Sequence, residues 1–417
     1  MRTQTIGEEN AGTDARRLGP QALDAALVDA HRRTTAILAD LDGCRSAIAN
    51  GWDVPLRATI NPPLWELGHL AWFAEWWTLR DAQPVTHGDP TSPWLAQRPS
   101  LLADADRWFD SARVAHDTRW TLDLPSRARV ERYVADVLDR VRERLAHEAD
   151  DDDALYAYRL VLFHEDMHGE ALTCLRQTLD YPAPSTIAAT LPPVIDAGPL
   201  SIAGGPHTSG TMGQAGFTFD NERGIATGIL EPFTIDRSCV SNRDYLAFVE
   251  ADGYRDARLW PGNAGRWRST HPSPHPAHWR RDVDGRWQQR WFGNWYALPL
   301  DTPICHVNAF EAEAWCLWSG RRLPREAEWE SVASGSEPDS PFRWGDAVWE
   351  WTADPFEPYP GFVPDRYREY SAPWFGSHRV VRGASFATHR RMRHARYRNF
   401  YTPDRSDLFV GFRSCSL

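Results

Sequence analysis

The sequence predicts a two-part protein, an N-terminal four-helix bundle followed by a compact, irregular α+β domain. Apolar residues recur at three- and four-residue spacing through much of residues 23–179, which is typical of amphipathic helices. A proline-rich stretch at residues 180–199 ends this pattern, and short strand-like runs with many turn residues follow it. At 417 residues the chain also exceeds one ordinary core, so at least two domains are expected.

Four long helices are predicted in the first part. Apolar periodicity identifies two of them, residues 25–48 and residues 127–146 with "VERYVADVLDRVRERLAHE". Pro62 and Pro63 open a third that extends through Leu79, because the first turn of a helix tolerates proline. The fourth runs from the acidic "DDDD" at 150–153, which is favourable at a helix N-terminus, to about Leu179. Helices of this number and length favour a bundle.

The domain boundary is predicted in the segment "DYPAPSTIAATLPPVIDAGP". It carries five prolines and little periodicity, which is typical of a linker. Beyond it only one clear helix is predicted, "NAFEAEAWCLWSG" at 308–320. We therefore assign residues 20–180 to the bundle, 181–196 to the linker and 197–417 to the second domain.

Composition excludes several classes of protein. The net charge of −11 argues against a nucleic-acid-binding surface, since phosphate contact needs clustered positive charge. No segment approaches the roughly 18 apolar residues of a membrane span, and the N-terminus has no apolar core, so we expect a cytoplasmic protein. The six cysteines are far apart and form no CxxC, which favours reduced, buried thiols.

The stretch "FHEDMHGEAL", residues 163–172, contains the first candidate for chemistry. His164 and His168 are four residues apart, so both rings leave the same face of a helix and can meet one cation. A structural or surface histidine pair is the alternative. A third histidine, His69, is predicted among apolar residues of another helix, where an unsatisfied imidazole would cost about 1–3 kcal/mol. Either a backbone hydrogen bond or a metal would satisfy it.

Three histidines from facing helices predict a site for divalent iron or zinc, and spacing alone leaves both metals open. Glu170 lies two residues after His168 and points off the shared face of the helix. We therefore expect it to act outside the ligand set, as a supporting or structural group.

The second domain resembles the formylglycine-generating-enzyme domain, a variant of the C-type lectin fold. The motifs that carry this resemblance span residues 197–417 and include "FTFDNE", "SGRRLPREAEWE", "VWEWT" and "VRGASF". That family's copper-binding cysteine pair would lie in the closing segment, but "RHARYRNFYTPDRSDLF" contains no cysteine. Cysteine-dependent formylglycine chemistry is therefore not expected.

A DinB-like bundle joined to this domain is similar to the ergothioneine-type sulfoxide synthases. These iron(II) and oxygen enzymes join sulfur to C2 of the imidazole of hercynine, Nα-trimethylhistidine. Their early histidine and HxxxHxE motif match His69, His164, His168 and Glu170. The resemblance implies that the three histidines bind Fe(II), with O2 as co-substrate.

The resemblance also implies substrate residues in the second domain. In "RYREYSAPWFG" it assigns Tyr367 as the proton donor near iron and Tyr370 as a substrate contact. A phenol with a pKa near 10 stays protonated at neutral pH and can supply a proton or an electron. A packing role for this YxxY pair is the alternative. The family's pocket-lining "RN" segment corresponds to Arg398 and Asn399, and Phe400 and Tyr401 follow as aromatic contacts for the trimethylammonium group.

Departures from the mycobacterial-type enzymes concern the donor. Those enzymes carry an Asp where Tyr401 stands, a Gln where Met167 stands and two arginines where this chain has Arg113 and His116. Each lost charge-assisted contact is worth about 1.5–3 kcal/mol, so an uncharged donor such as a sugar is expected. "NPPLWELGH", "HEDMHGEAL" and "RNFYTPDRSDLFVGFRSC" resemble the selenoneine synthase branch, which uses a selenosugar.

Three alternatives remain open at this point. The first is an ergothioneine synthase that uses cysteine or γ-glutamylcysteine. The second is a zinc-dependent DinB-type thiol transferase or hydrolase, which would need no oxygen. The third is a non-catalytic binding module, because a C-type-lectin-like fold does not by itself imply catalysis.

Overall fold

The computed structural model describes residues 11–89, 92–187, 190–194, 198–213, 215–335 and 342–417. Its first part is helical, as predicted, and four long helices pack against one another in pairs. The helices are α1 Ala11–Ala15, α2 Pro20–Ala39, α3 Pro63–Thr78, α4 Ala105–Phe109, α5 Arg127–Leu145 and α6 Asp152–Thr178, with a small hairpin of β1 Gln83–Pro84 and β2 Trp94–Leu95. Helix α3 contacts both α5 and α6, and α2 packs on α6.

Three of the long helices have nearly their predicted bounds. Buried residues of α5 recur every three or four positions, at Val130, Val134, Val137 and Val141, so one stripe faces the core. Helix α6 begins where Asp151 caps it, because its carboxylate accepts a hydrogen bond from the Ala154 backbone at 2.9 Å.

The first long helix differs from its prediction. It begins at Pro20 and ends at Ala39, whereas periodicity predicted residues 25–48. Residues Leu41–Gly43 turn into a short 3-10 helix, and Arg45 then pairs with Asn50 across a turn. Short polar side chains and glycine favour such turns over a continued helix. A prediction from the spacing of apolar residues alone does not take these residues into account.

The second part contains two four-stranded sheets, a hairpin and a three-stranded meander. The elements are β3 Pro199–Ile202, β4 Gly205–Thr211, β5 Gly224–Leu230, β6 Phe233–Asp236, α7 Asn242–Glu250, α8 Asn263–Thr270, β7 Trp279–Arg281, β8 Trp287–Trp291, β9 Asn294–Ala297, α9 Ala309–Ser319, β10 Arg321–Arg322, α10 Glu326–Ser334, β11 Trp349–Pro355, β12 Arg379–Gly383, β13 Asn399–Tyr401, β14 Val410–Gly411 and β15 Cys415–Ser416. The four-stranded sheets have the orders β10-β15-β6-β3 and β13-β12-β11-β14, in which β13 is an edge strand.

The predicted helix at 308–320 is present as α9. Asn308 caps it by accepting from the Glu311 backbone at 2.9 Å, and Gly320 ends it with a φ of 68°. All six cysteines are free thiols, as expected. Within the described ranges, no helix is long and apolar enough to cross a bilayer.

The two parts share one buried apolar cluster, and charged side chains of α6 hold them together. Asp166 accepts two hydrogen bonds from Arg391, at 2.5 and 3.0 Å. Glu170 accepts from Trp349 at 2.7 Å and from Ser385 and Thr388 at 2.6 Å. Both carboxylates are buried, so the helix that carries the histidine pair has a fixed position against the second domain.

Candidate metal centre and substrate cavity

The three predicted histidines meet at one point inside the bundle. Their candidate ligand atoms lie within 4.8 Å of one another, and no other group of three such residues occurs among the described ranges. His69 comes from α3, whereas His164 and His168 come from one face of α6. The ring centroids of His164 and His168 are 4.5 Å apart, and both are close to His69, at 5.1 and 5.2 Å. We call this group the triad.

Hydrogen bonds orient two of these rings. Nδ1 of His69 lies 2.8 Å from the Phe109 carbonyl oxygen, and Nδ1 of His168 lies 2.7 Å from Oε1 of Glu66. Because a carbonyl or carboxylate oxygen only accepts, each Nδ1 donates, and Nε2 is the ring nitrogen that each histidine can offer to a metal. His164 is held by stacking on Phe73, with ring centroids 3.6 Å apart and planes inclined by 7°.

The surroundings keep His69 and His164 neutral. Burial, and then the neighbouring His168, lower the pKa of His69 to about 3. The same causes, burial first, hold the pKa of His164 well below its ordinary value. Neutral imidazole is the form that binds a metal, and three imidazoles whose ring nitrogens converge on one point fit a divalent transition metal.

Tyr367 lies beside the triad. Its ring centroid is 4.9 Å from that of Phe73 and 6.2 Å from that of His164. Burial raises the pKa of Tyr367, so the phenol keeps its proton at neutral pH. A protonated phenol close to the candidate metal ligands is the arrangement that a proton donor needs.

A cavity of about 160 Å³ lies between the two domains, and its wall includes Glu66, the hydrogen-bond partner of His168. We call it the interdomain cavity. Its wall includes Glu66, Met167, Glu170, Asn399 and Tyr401. The Asn399 amide donates to the Tyr401 hydroxyl at 3.0 Å, so these side chains lie on the same face of β13.

Comparisons with known proteins agree with this architecture. The second domain matches the family model of the sulfatase-modifying factor enzyme 1-like domain over residues 193–348 and 347–416. The hercynine oxygenase of Mycolicibacterium thermoresistibile is 30% identical, over 93% of this chain and 93% of its own length. That of Mycobacterium tuberculosis is 31% identical, over 85% of this chain and 90% of its own.

The chain belongs to the hercynine oxygenase family. The formylglycine-generating enzyme of Streptomyces coelicolor covers only 55% of the chain, at 27% identity. The predicted relationships to the ergothioneine-type enzymes and to the formylglycine-generating-enzyme domain are therefore confirmed. The selenoneine branch and the DinB-like label for the bundle stay predictions.

Several residues predicted from this family resemblance lie near the interdomain cavity. Met167, Asn399 and Tyr401 line it directly. Tyr370 reaches it through a relay: its hydroxyl donates to that of Tyr397 at 3.2 Å, and Tyr397 donates to the Met167 sulfur at 3.4 Å.

Other predicted residues lie elsewhere in this family member. Phe400 is on the opposite face of β13, stacked on Phe356 with ring centroids 4.0 Å apart. Arg398 is buried and bonds to Glu326 at 2.6 and 3.0 Å, which is a structural ion pair. The structure does not bring either side chain to the interdomain cavity.

The predicted donor contacts also lie outside that cavity. Arg113 pairs with Asp110 at 3.2 Å, and 66% of its side chain is exposed. The His116 ring bonds through Nε2 to the Ile60 carbonyl at 2.8 Å. Arg113 instead lines a second cavity of about 220 Å³ on the Tyr367 side, which we call the tryptophan-lined cavity after Trp72, Trp76, Trp77 and Trp94.

Sequence reasoning missed the groups that orient the triad. Glu66 and Phe73 are three residues before and four residues after His69, so helical spacing could have indicated both. The Phe109 carbonyl carries no comparable signal, because only the packing of distant segments brings it to the site. Glu170 lies outside the triad and accepts hydrogen bonds from Trp349 and Ser385 of the second domain, which fits the supporting or structural role expected of it.

Proposed function

We propose that this protein uses iron(II) and oxygen to join a chalcogen atom to C2 of the hercynine imidazole. We further propose that it is a selenoneine synthase with a selenosugar donor. The single observation that carries the reaction class is the triad of converging imidazoles beside a protonated Tyr367, in a member of the hercynine oxygenase family.

In this proposal each residue has a defined part. His69, His164 and His168 hold iron(II), which would supply electrons to oxygen and open positions for the substrates. Tyr367 holds a proton on its phenol oxygen and gives it up as oxygen is reduced. Asn399 and Tyr401 orient hercynine in the interdomain cavity by hydrogen bonds from one face of β13.

The existing partners of Arg405, Arg113 and His116 support an uncharged donor. Arg405 is the guanidinium lining the interdomain cavity, and it is already paired with Asp407 at 2.5 and 2.7 Å. Arg113 is paired with Asp110, and His116 is engaged by a backbone carbonyl. A zwitterionic donor would have to break such pairs, whereas sugar hydroxyls form neutral hydrogen bonds.

A second candidate is an ergothioneine-type sulfoxide synthase that uses cysteine or γ-glutamylcysteine. It is favoured by the full-length similarity to proteins named hercynine oxygenase. The two candidates share the triad and Tyr367, and differ only in the donor.

A competition assay tests the proposal. Protein loaded anaerobically with iron(II) receives hercynine and equal amounts of a selenosugar, cysteine and γ-glutamylcysteine before oxygen is admitted, and mass spectrometry identifies the products. A selenium isotope pattern on hercynine is expected. A sulfoxide formed from either thiol would instead identify the protein as the second candidate, an ergothioneine-type sulfoxide synthase. No product with any donor would contradict both, and would favour a zinc enzyme or a binding module.

A further inference from the structure

Two tryptophans continue from the triad toward the protein surface along one face of α3. The ring of His69 stacks with that of Trp72, with centroids 6.0 Å apart and planes inclined by 22°. Trp72 contacts Trp76 at a centroid distance of 5.3 Å. Trp72 is buried and Trp76 is partly exposed, so the rings form a continuous aromatic contact from a candidate metal ligand to solvent.

The charges around Trp72 favour its oxidation. Its indole nitrogen donates to Oδ1 of Asp106 at 2.7 Å. An indole that loses an electron becomes a cation, and a carboxylate at this distance stabilises that positive charge. Arg80 pairs with Asp106 at 2.5 and 3.0 Å and keeps the carboxylate in place. The Arg80 guanidinium also lies 4.9 Å from the centroid of the Trp76 ring, so a positive charge is more stable on Trp72 than on Trp76, and an external reductant must draw the charge outward by reducing Trp76.

The other tryptophan that touches His69 has the opposite surroundings. Trp65 stacks on His69 with centroids 4.9 Å apart, but its indole nitrogen donates to the neutral Trp108 carbonyl at 2.6 Å. The Arg119 guanidinium also lies 3.9 Å from the centroid of the Trp65 ring, which disfavours a second positive charge there. An electron is therefore lost more easily from Trp72 than from Trp65.

We propose that Trp72 and Trp76 form an electron-transfer path that protects the triad when oxygen is activated without substrate. The inference rests on the proposed function. A partly reduced oxygen species left near the triad takes one electron from Trp72, the Trp72 cation takes one from Trp76, and the Trp76 cation takes one from an external reductant such as ascorbate. In total the oxygen species gains one electron, ascorbate loses one electron and releases one proton to solvent, and no residue is altered. Both indoles line the tryptophan-lined cavity, which gives a small reductant access.

Peptide mass spectrometry tests this path. The full-length protein is loaded with iron(II) and exposed to oxygen without hercynine or donor, with and without ascorbate. Oxidised indole products are expected at Trp72 and Trp76, above the level at the exposed surface residue Trp318, and ascorbate should suppress them. In Trp72→Phe, oxidation at Trp76 should fall to the Trp318 level while oxidation at Tyr367 and Met167 rises.

Trp77→Phe is the matched control, because Trp77 lies on the same helix and lines the same cavity but its ring contacts Phe73 and Trp94. It should leave the oxidation pattern unchanged. Unchanged Trp76 oxidation in Trp72→Phe, or an equal effect of the control, overturns the path.

Asp106→Asn provides a second variant in case Trp72→Phe does not fold. It keeps both indoles and removes the carboxylate charge, so oxidation at Trp76 should fall and oxidation at Tyr367 should rise; an unchanged pattern overturns the path. If the iron-loaded protein consumes oxygen but neither Trp72 nor Trp76 is oxidised, the path is overturned while the proposed function stands. Protein that binds no iron, or consumes no oxygen, overturns both.

Discussion

Replacing Glu66 by glutamine tests whether a buried carboxylate sets the metal affinity of the triad. Glu66 Oε1 lies 2.7 Å from Nδ1 of His168, and only 2% of the Glu66 side chain is exposed. The charge makes His168 a stronger ligand and fixes its tautomer. Glutamine keeps the size and an accepting oxygen but removes the charge. Loss of such a supporting partner costs roughly 10- to 100-fold in metal affinity, and we expect the lower end, about 1.4 kcal/mol.

The assay is an anaerobic iron(II) titration against a competing chelator. Glu75→Gln is the control, because Glu75 is a buried carboxylate on the same helix that bonds to Ser100, Leu101 and Tyr133 instead of the triad. It should lower thermal stability without changing iron affinity. Wild-type iron affinity in Glu66→Gln would refute the reasoning, as would an equal loss of affinity in the control.

Three further variants test the metal site, the role of Tyr367 and the effect of burying Asp220. His69→Ala removes a ligand and should abolish iron retention and turnover together; metal analysis showing retained iron with normal activity would contradict this. Tyr367→Phe should slow product formation and raise the oxygen consumed per product, so an unchanged ratio would remove its role. Burial raises the pKa of Asp220 from 3.8 to about 6, so the folded wild type loses about 3 kcal/mol of stability as pH rises through this range. Asp220→Asn should lack that loss in urea unfolding at both ends of the range, and an identical pH dependence would refute it.

The long helices and the histidine pair could be predicted because both depend on local periodicity. The i, i+4 spacing of His164 and His168 is a property of any helix. His69 lies on another helix, and the family resemblance joined it to this pair. The end of α2, earlier than predicted, could not be inferred from apolar spacing, because Gly43 and its polar neighbours favour a turn.

The walls of the cavities depend on segments far apart in the chain. Asn399 and Phe400 are adjacent in sequence, yet β13 turns the first toward the interdomain cavity and the second toward Phe356. Which face of an edge strand meets α6 is decided by sheet register and by the packing of the two domains. The position of Arg113 on a different cavity from Tyr401 has the same origin.

The sequence by itself determined the helical part, the candidate metal ligands and the family resemblance, because helix periodicity and motif spacing depend on residues that are close in the chain. Tertiary structure decided which groups orient those histidines and which side chains face the interdomain cavity. The physical reason is that hydrogen bonds such as Glu66 to His168, and Glu170 to the second domain, join residues 102 or more positions apart. Their partners are selected only when buried polar groups must be satisfied in the folded chain.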